Sequence, residues 1–122
     1  MKNNYKFGIW MDSMHATIIE ADKENGKLRV LAHVEGEEPT AHESEKTENN
    51  QKIMLQAKYF KEIASHLQNA THVHLTGTGQ AQEQFIHYLS QTPQFKNTQT
   101  EETTTNRMSD EKLFDYFNDK LK

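Results

Sequence analysis

Tyr5-Lys6-Phe7-Gly8-Ile9-Trp10-Met11 runs into Asp12-Ser13-Met14-His15 and then into Ala16-Thr17-Ile18-Ile19-Glu20-Ala21. In the first stretch Tyr5, Phe7, Ile9 and Met11 alternate with Gly8 and Trp10, the pattern of a strand covered on both faces. Gly8 leaves room for a close neighbour. Asp12 and Ser13 readily bond their own backbone, which marks a tight turn, and the β-branched run after it resumes as a second strand. Asp22-Lys23-Glu24-Asn25-Gly26 closes another hairpin on an Asn-Gly pair. Beyond it Leu28, Val30, Ala32 and Val34 alternate with Lys27, Arg29, Leu31 and His33, a third strand. The chain therefore opens with an antiparallel meander.

Downstream the pattern changes to helices alternating with strands. From Gly36 to Asn50 the composition is Glu, Thr, Ser, Asn, Lys and Pro39, with almost nothing apolar to bury, which reads as a mobile acidic loop over about 36–50. A helix is expected from about Gln51 to Gln68, its stripe formed by Ile53, Ala57, Phe60, Ala64 and Leu67 with Ile63 beside it. His72-Val73-His74-Leu75-Thr76 is a short strand that enters Gly77-Thr78-Gly79, and Ala81, Phe85, Tyr88 and Leu89 mark the next helix. Pro93 cannot continue that helix. Thr98 to Thr104 reads as an edge strand. In the last helix Ser109 is a good N-cap, Asp110 and Glu111 suit the positive end of the dipole, and Met108 can staple to Leu113. Its buried stripe is Leu113, Phe114, Phe117 and Leu121. The order is βββαβαβα.

Composition narrows the class. A chain of 122 residues is the size of one ordinary domain and can form a core without metal or disulfides. There is no cysteine, and Met1 to Tyr5 leads into a strand pattern rather than an apolar run, so a cytoplasmic protein of bacterial type with no membrane segment is expected. The formal charge is -4, from 18 acidic and 14 basic residues. That argues against autonomous nucleic-acid binding, in which clustered Lys and Arg supply most of the affinity. Six glutamates fall between Glu35 and Glu48, however, and the rest of the chain is nearly neutral.

Three stretches carry a family resemblance. Gly8 to Ile19 resembles the opening pattern of small bacterial proteins related to the middle domain of archaeo-eukaryotic peptide-chain release factors and of pelota. Thr104-Thr105-Asn106-Arg107-Met108-Ser109-Asp110 is similar to the stretch before the last helix of the same proteins, and Leu75 to Gln82 looks like their strand-to-helix join. The resemblance implies an α/β, ribonuclease-H-like three-layer fold with a mixed sheet, a single domain over 1–122, and an association with the ribosome or translation. In the release factors the connection after the third strand carries a Gly-Gly-Gln tripeptide that promotes peptidyl-tRNA hydrolysis. Between Gly36 and Asn50 this sequence has no such tripeptide. Ser13 stands where the family usually has His, and Gln82 where it usually has Lys.

Each candidate site has a structural counterpart. Asp12 ends a strand as the first carboxylate of ribonuclease-H nucleases does, with Glu20 and Glu62 as the only partners for a two-metal site. The alternative is a turn residue. The actin-like ATPases also begin this way, but Ser13-Met14-His15 does not supply the small residues that let backbone amides approach phosphate. His72 and His74 share a strand face, as two metal ligands would, with His15 or His87 to complete the set. Histidines packed under a helix satisfy the same pattern. Gly77-Thr78-Gly79 before a helix can bind an anion through free amides, or simply form a tight turn. Trp10 and Tyr88 are either a recognition surface or core.

The reading expected from the sequence is a non-catalytic domain with no cofactor and no metal site. Its anion- or partner-binding residues are Asp12, Ser13, His15, Gly77, Thr78, Gly79 and Gln80, and its partner is the ribosome or another protein. Two other functions stay open: a metal-dependent nuclease or phosphate-ester hydrolase centred on Asp12, and a homo-oligomeric module pairing through the Thr98 to Thr104 edge.

Overall fold

The computed structural model describes residues 5–22, 24–38 and 45–121, with side chains in the last stretch from residue 50 onward. Its elements are β1 (Lys6–Met11), β2 (His15–Ala21), β3 (Leu28–Glu35), α1 (Glu45–Ser65), β4 (His72–Gly77), α2 (Gln80–Ser90), β5 (Gln99–Thr104) and α3 (Asp110–Lys120), with a short 3-10 turn at Pro93–Phe95. The strands form one five-stranded sheet in the order β3-β2-β1-β4-β5. Neighbours in the opening meander are antiparallel, and β4 and β5 join β1 in parallel. The expected order of elements and the mixed three-layer α/β architecture are both present.

Strand periodicity assigns the layers. Phe7, Ile9 and Met11 of β1, in register with Val73 and Leu75 of β4, face α1 and α2, where Phe60, Ile63, Leu67, Phe85 and Leu89 close the larger core. Gly8 and Trp10 face the other way, toward Leu113 and Phe117 of α3 and Leu121 just after it. A Cβ on Gly8 would stand 2.6 Å from the Phe117 ring. The close neighbour expected there is therefore Phe117. The Ser109 hydroxyl accepts the Lys112 amide at 3.3 Å, capping α3, and Met108 packs into the cluster with Leu113.

Three details depart from the sequence reading. The helix after the meander starts at Glu45 and ends at Ser65 rather than spanning Gln51 to Gln68. Residues 45–50 are helical, Gly36–Glu38 are irregular, and the rest of the 36–50 segment lies outside the described residues. A polar helix start has no apolar stripe, so composition alone reads it as loop. Along that helix Ile53 and Ala57 are not core: Ile53 is 67% exposed, and burial begins at Tyr59 and Phe60. In β3 the register slips between Ile18 and Ile19, pairing Ile18 with Ala32 but Ile19 with Val30. Leu31 is the extra residue of this bulge, and it splits the expected single stripe. Leu28 packs toward α3, while Leu31, Ala32 and Val34 pack toward α1 and α2.

Candidate functional site

The parallel strands β1 and β4 end side by side, Met11 opposite Gly77. In open α/β sheets the crevice beyond the carboxyl ends of such strands is the usual place for a ligand. Here it is a shallow cleft of about 550 Å³ lined by Asp12, Ser13, Met14, His15, Thr78, Gln80 and Ala81. Five of these belong to the sequence-derived set, which the fold thus brings together from two segments more than sixty residues apart.

Asp12 builds its own turn. Its Oδ1 accepts the Met14 amide at 2.8 Å and the His15 amide at 2.6 Å, and its amide donates to the His15 carbonyl at 2.8 Å. Its carbonyl accepts the Tyr59 hydroxyl at 2.9 Å, which ties the turn to α1. Burial, with the Asp12 charge adding to it, pushes the Tyr59 phenol well above the ordinary tyrosine range. His15 Nδ1 lies 3.5 Å from Asp12 Oδ1, too far for a hydrogen bond, and is shielded from water. The Gly36 amide donates to the Met14 carbonyl at 2.7 Å, so the segment leaving β3 folds back against the turn.

On the other wall the two glycines are structural. A Cβ on Gly77 would lie 1.9 Å from the Met11 carbonyl oxygen, so only glycine lets β1 and β4 end this close. Gly79 has φ 145° and ψ -82°, a conformation reserved for glycine. Its amide donates to Gln82 Oε1 at 3.0 Å and so is not free for an anion. Gln82 is completely buried, and its Nε2 donates to the Thr103 carbonyl at 3.1 Å, joining α2 to β5. At the position where the resemblance led us to look for a lysine, this chain has a structural amide. Thr78 and Gln80 are the exposed residues of this wall.

The other candidates come apart. Glu20 lies opposite Phe7, at the far end of β1 from Asp12, and pairs with Arg29 at 2.9 Å. Glu62 is on an exposed face of α1. The carboxylates proposed for a two-metal site are therefore not assembled around Asp12. His74 is 4% exposed beneath α3, its Nδ1 3.1 Å from Glu101 Oε2 and its Nε2 3.2 Å from Thr103 Oγ1 and 3.3 Å from the Tyr116 hydroxyl. The Thr103 and Tyr116 hydroxyls also bond each other. His72 Nδ1 instead meets Thr71 Oγ1 at 3.0 Å. His15 sits beyond the opposite end of the strands, and His87 is exposed on α2. Among the described residues no three His, Cys, Asp or Glu are placed to hold one metal ion. Trp10 is core, its Nε1 donating to the Asn106 carbonyl at 3.2 Å, and Tyr88 stacks on Phe85.

Sequence reasoning singled out Gln82 only as a departure from the family and missed its structural role, and it missed Tyr59 altogether. The Gly79-x-x-Gln82 spacing, a helix start with glutamine at the third position, is the signal for the first. Nothing local signals the second.

Comparison with solved structures places this architecture. The chain is similar to the Pelota protein of Thermoplasma acidophilum, with 18% identity and a TM-score of 0.62 over 97% of this chain and 34% of that one. An archaeal translation termination factor matches with 17% identity and a TM-score of 0.59 over 98% and 36%. Pelota of Archaeoglobus fulgidus matches with 13% identity and a TM-score of 0.61 over 98% and 33%. They share a fold. This chain spans about a third of the length of each of these proteins. No protein-family model matches the sequence, and no curated protein does either. Among the described residues no helix is long and apolar enough to cross a membrane.

Proposed function

We propose that this chain is a non-catalytic, translation-associated module of bacterial type, a single ribonuclease-H-like domain related to release-factor middle domains, that works in the cytoplasm by docking on the ribosome or on a protein bound to it. The observation that carries this reading is the likeness to Pelota and the termination factor over nearly the whole chain. The docking face is the cleft between the Asp12–His15 turn and Thr78–Gln80, flanked by Gly36–Glu38. Its shape suits an adaptor better than an enzyme. Asp12 Oδ1 is spent on the turn, Glu20 and Glu62 stand elsewhere, and the connection after β3 has no Gly-Gly-Gln. Two facing turns, one clamped by Tyr59 and the other by Gln82, with short polar side chains at the rim, offer a defined surface for recognition.

Sedimentation of a native lysate through sucrose tests this reading. At low salt the protein is expected to travel with a ribosomal subunit and to be released as salt rises, and Ser13→Glu with Thr78→Glu is expected to abolish the co-migration without unfolding the protein. Recovery of the wild type only at the top of the gradient at both salt concentrations overturns the proposal.

A further inference from the structure

The two edges of the sheet are protected unequally. At one edge β3 carries the bulge at Leu31, which breaks the regular outer row of backbone groups. At the other, β5 pairs with β4 in unbroken register from Gln99 to Thr104, and among the described residues no strand lies beyond it. Every β5 residue except Thr103 is exposed. The Gln99 amide donates to the Thr71 carbonyl at 2.9 Å and the Thr105 amide to the Gly77 carbonyl at 2.8 Å. By the two-residue period of a strand, Glu101 and Thr103 also turn their backbone groups toward β4, whereas Thr100, Glu102 and Thr104 turn theirs outward. Each of these three presents an N–H and a C=O to an incoming strand.

Charge decides what can add there. Glu101 projects on the α3 side of the sheet, and Glu102 on the opposite side, near Glu83 of α2. Partial desolvation, followed by the Glu83 charge, raises the Glu102 carboxyl above its ordinary value. A second copy is a poor occupant. A two-fold axis through a continuous sheet sets residues of the same face opposite each other, so the registers that keep most of the six-residue strand centre on Glu101 or on Glu102. Each puts a carboxylate directly against its own copy, which is destabilising. Nucleic acid is repelled by the same charges. We propose that the β5 edge takes an extended segment of a partner protein by strand addition, with two adjacent basic residues at its centre, one for each face of the sheet. Main-chain bonds to Thr100, Glu102 and Thr104 hold it, and Glu101 and Glu102 select it. This surface lies outside the Asp12 cleft and is independent of the function proposed for that cleft.

Amide hydrogen exchange read by NMR tests this on the intact chain. The probe is the end-capped peptide Thr-Thr-Lys-Lys-Thr-Thr, with Thr-Thr-Glu-Glu-Thr-Thr as its charge-reversed control. Under low salt the lysine peptide is expected to slow exchange at Thr100, Glu102 and Thr104 by about tenfold and to leave Glu101 and Thr103, already paired with β4, unchanged. The control is expected to do nothing. The Glu101→Lys, Glu102→Lys variant is expected to reverse the preference, and the Glu101→Gln, Glu102→Gln variant to erase it. The proposal is overturned if the lysine peptide leaves the three outward amides unprotected, if both peptides protect them equally, or if the wild-type protein alone dimerises in the ultracentrifuge with those amides protected. In that last case the occupant is a second copy.

Discussion

The two faces of the sheet are held by different means. Among the described residues, the face under α1 and α2 buries seventeen in one apolar cluster and keeps its polar clamps, Tyr59 on Asp12 and Gln82 on Gly79 and Thr103, at the end where the strands stop. The face under α3 buries five of the described apolar residues and places a histidine among hydroxyls beneath the helix. With less area to bury, α3 depends on close approach: Phe117 lies on Gly8 where any other residue would hold it away. Area stabilises the first face and shape the second. That separation also explains where the cleft is, since the broad core leaves its polar clamps free to shape the turn above it.

The largest effects test area against shape. Phe85→Ala and Phe117→Ala are each expected to lower stability by about 3–5 kcal/mol in urea unfolding. Gly8→Ala alone is expected to cost about 1–3 kcal/mol by pushing α3 outward. In a double-mutant cycle Gly8→Ala should couple favourably to Phe117→Ala, because the new methyl enters the space the ring has left, and should add simply to Phe85→Ala on the far side of the sheet. Equal coupling to both would erase the distinction between the faces.

Smaller losses sharpen the comparison of the polar contacts. Gln82→Leu strips the Gly79 amide of its side-chain acceptor and the Thr103 carbonyl of a donor, an expected loss of about 1–3 kcal/mol. Tyr116→Phe leaves the His74 Nε2 and the Thr103 hydroxyl bonded to each other, so about 0.5–1.5 kcal/mol is expected from thermal or urea unfolding.

An effect of similar size depends on pH. Tyr59→Phe removes the bond to the Asp12 carbonyl and is expected to cost about 1 kcal/mol at neutral pH. Because the folded phenol holds its proton above the ordinary tyrosine value of 10.0, the unfolded chain ionises first as pH rises. The folded state then binds more protons, and stability falls with pH. The contribution of Tyr59 is thus complete below that value and declines as pH climbs from it through the raised folded one. Urea midpoints of wild type and Tyr59→Phe should converge above about pH 10. A constant gap across that range would mean that the phenol is not held protonated.

Much of the fold was legible because its signals are local. The alternation of Phe7, Ile9 and Met11 against Gly8 and Trp10, the Asn25-Gly26 turn, and the Ser109 cap with its Met108 staple each specify their own geometry. The bulge at Leu31 was not legible, since one slipped residue leaves the composition of β3 unchanged while sending Leu28 and Val34 to opposite faces. The polar start of α1 likewise has no stripe to betray it. For the site, the turn chemistry of Asp12 and the glycines of the β4–α2 join could be read, but their roles could not. Gly77 is required by the Met11 carbonyl of another strand, and Gly79 spends its amide on Gln82.

The sequence by itself determined the elements and their order, because helix, strand and turn preferences act within a few residues. Only the tertiary structure decided that Asp12 and Thr78 share a cleft and that His74 is buried under α3 rather than exposed for a metal. Those outcomes depend on which strands lie side by side, and that is settled by burying two faces of one sheet at once.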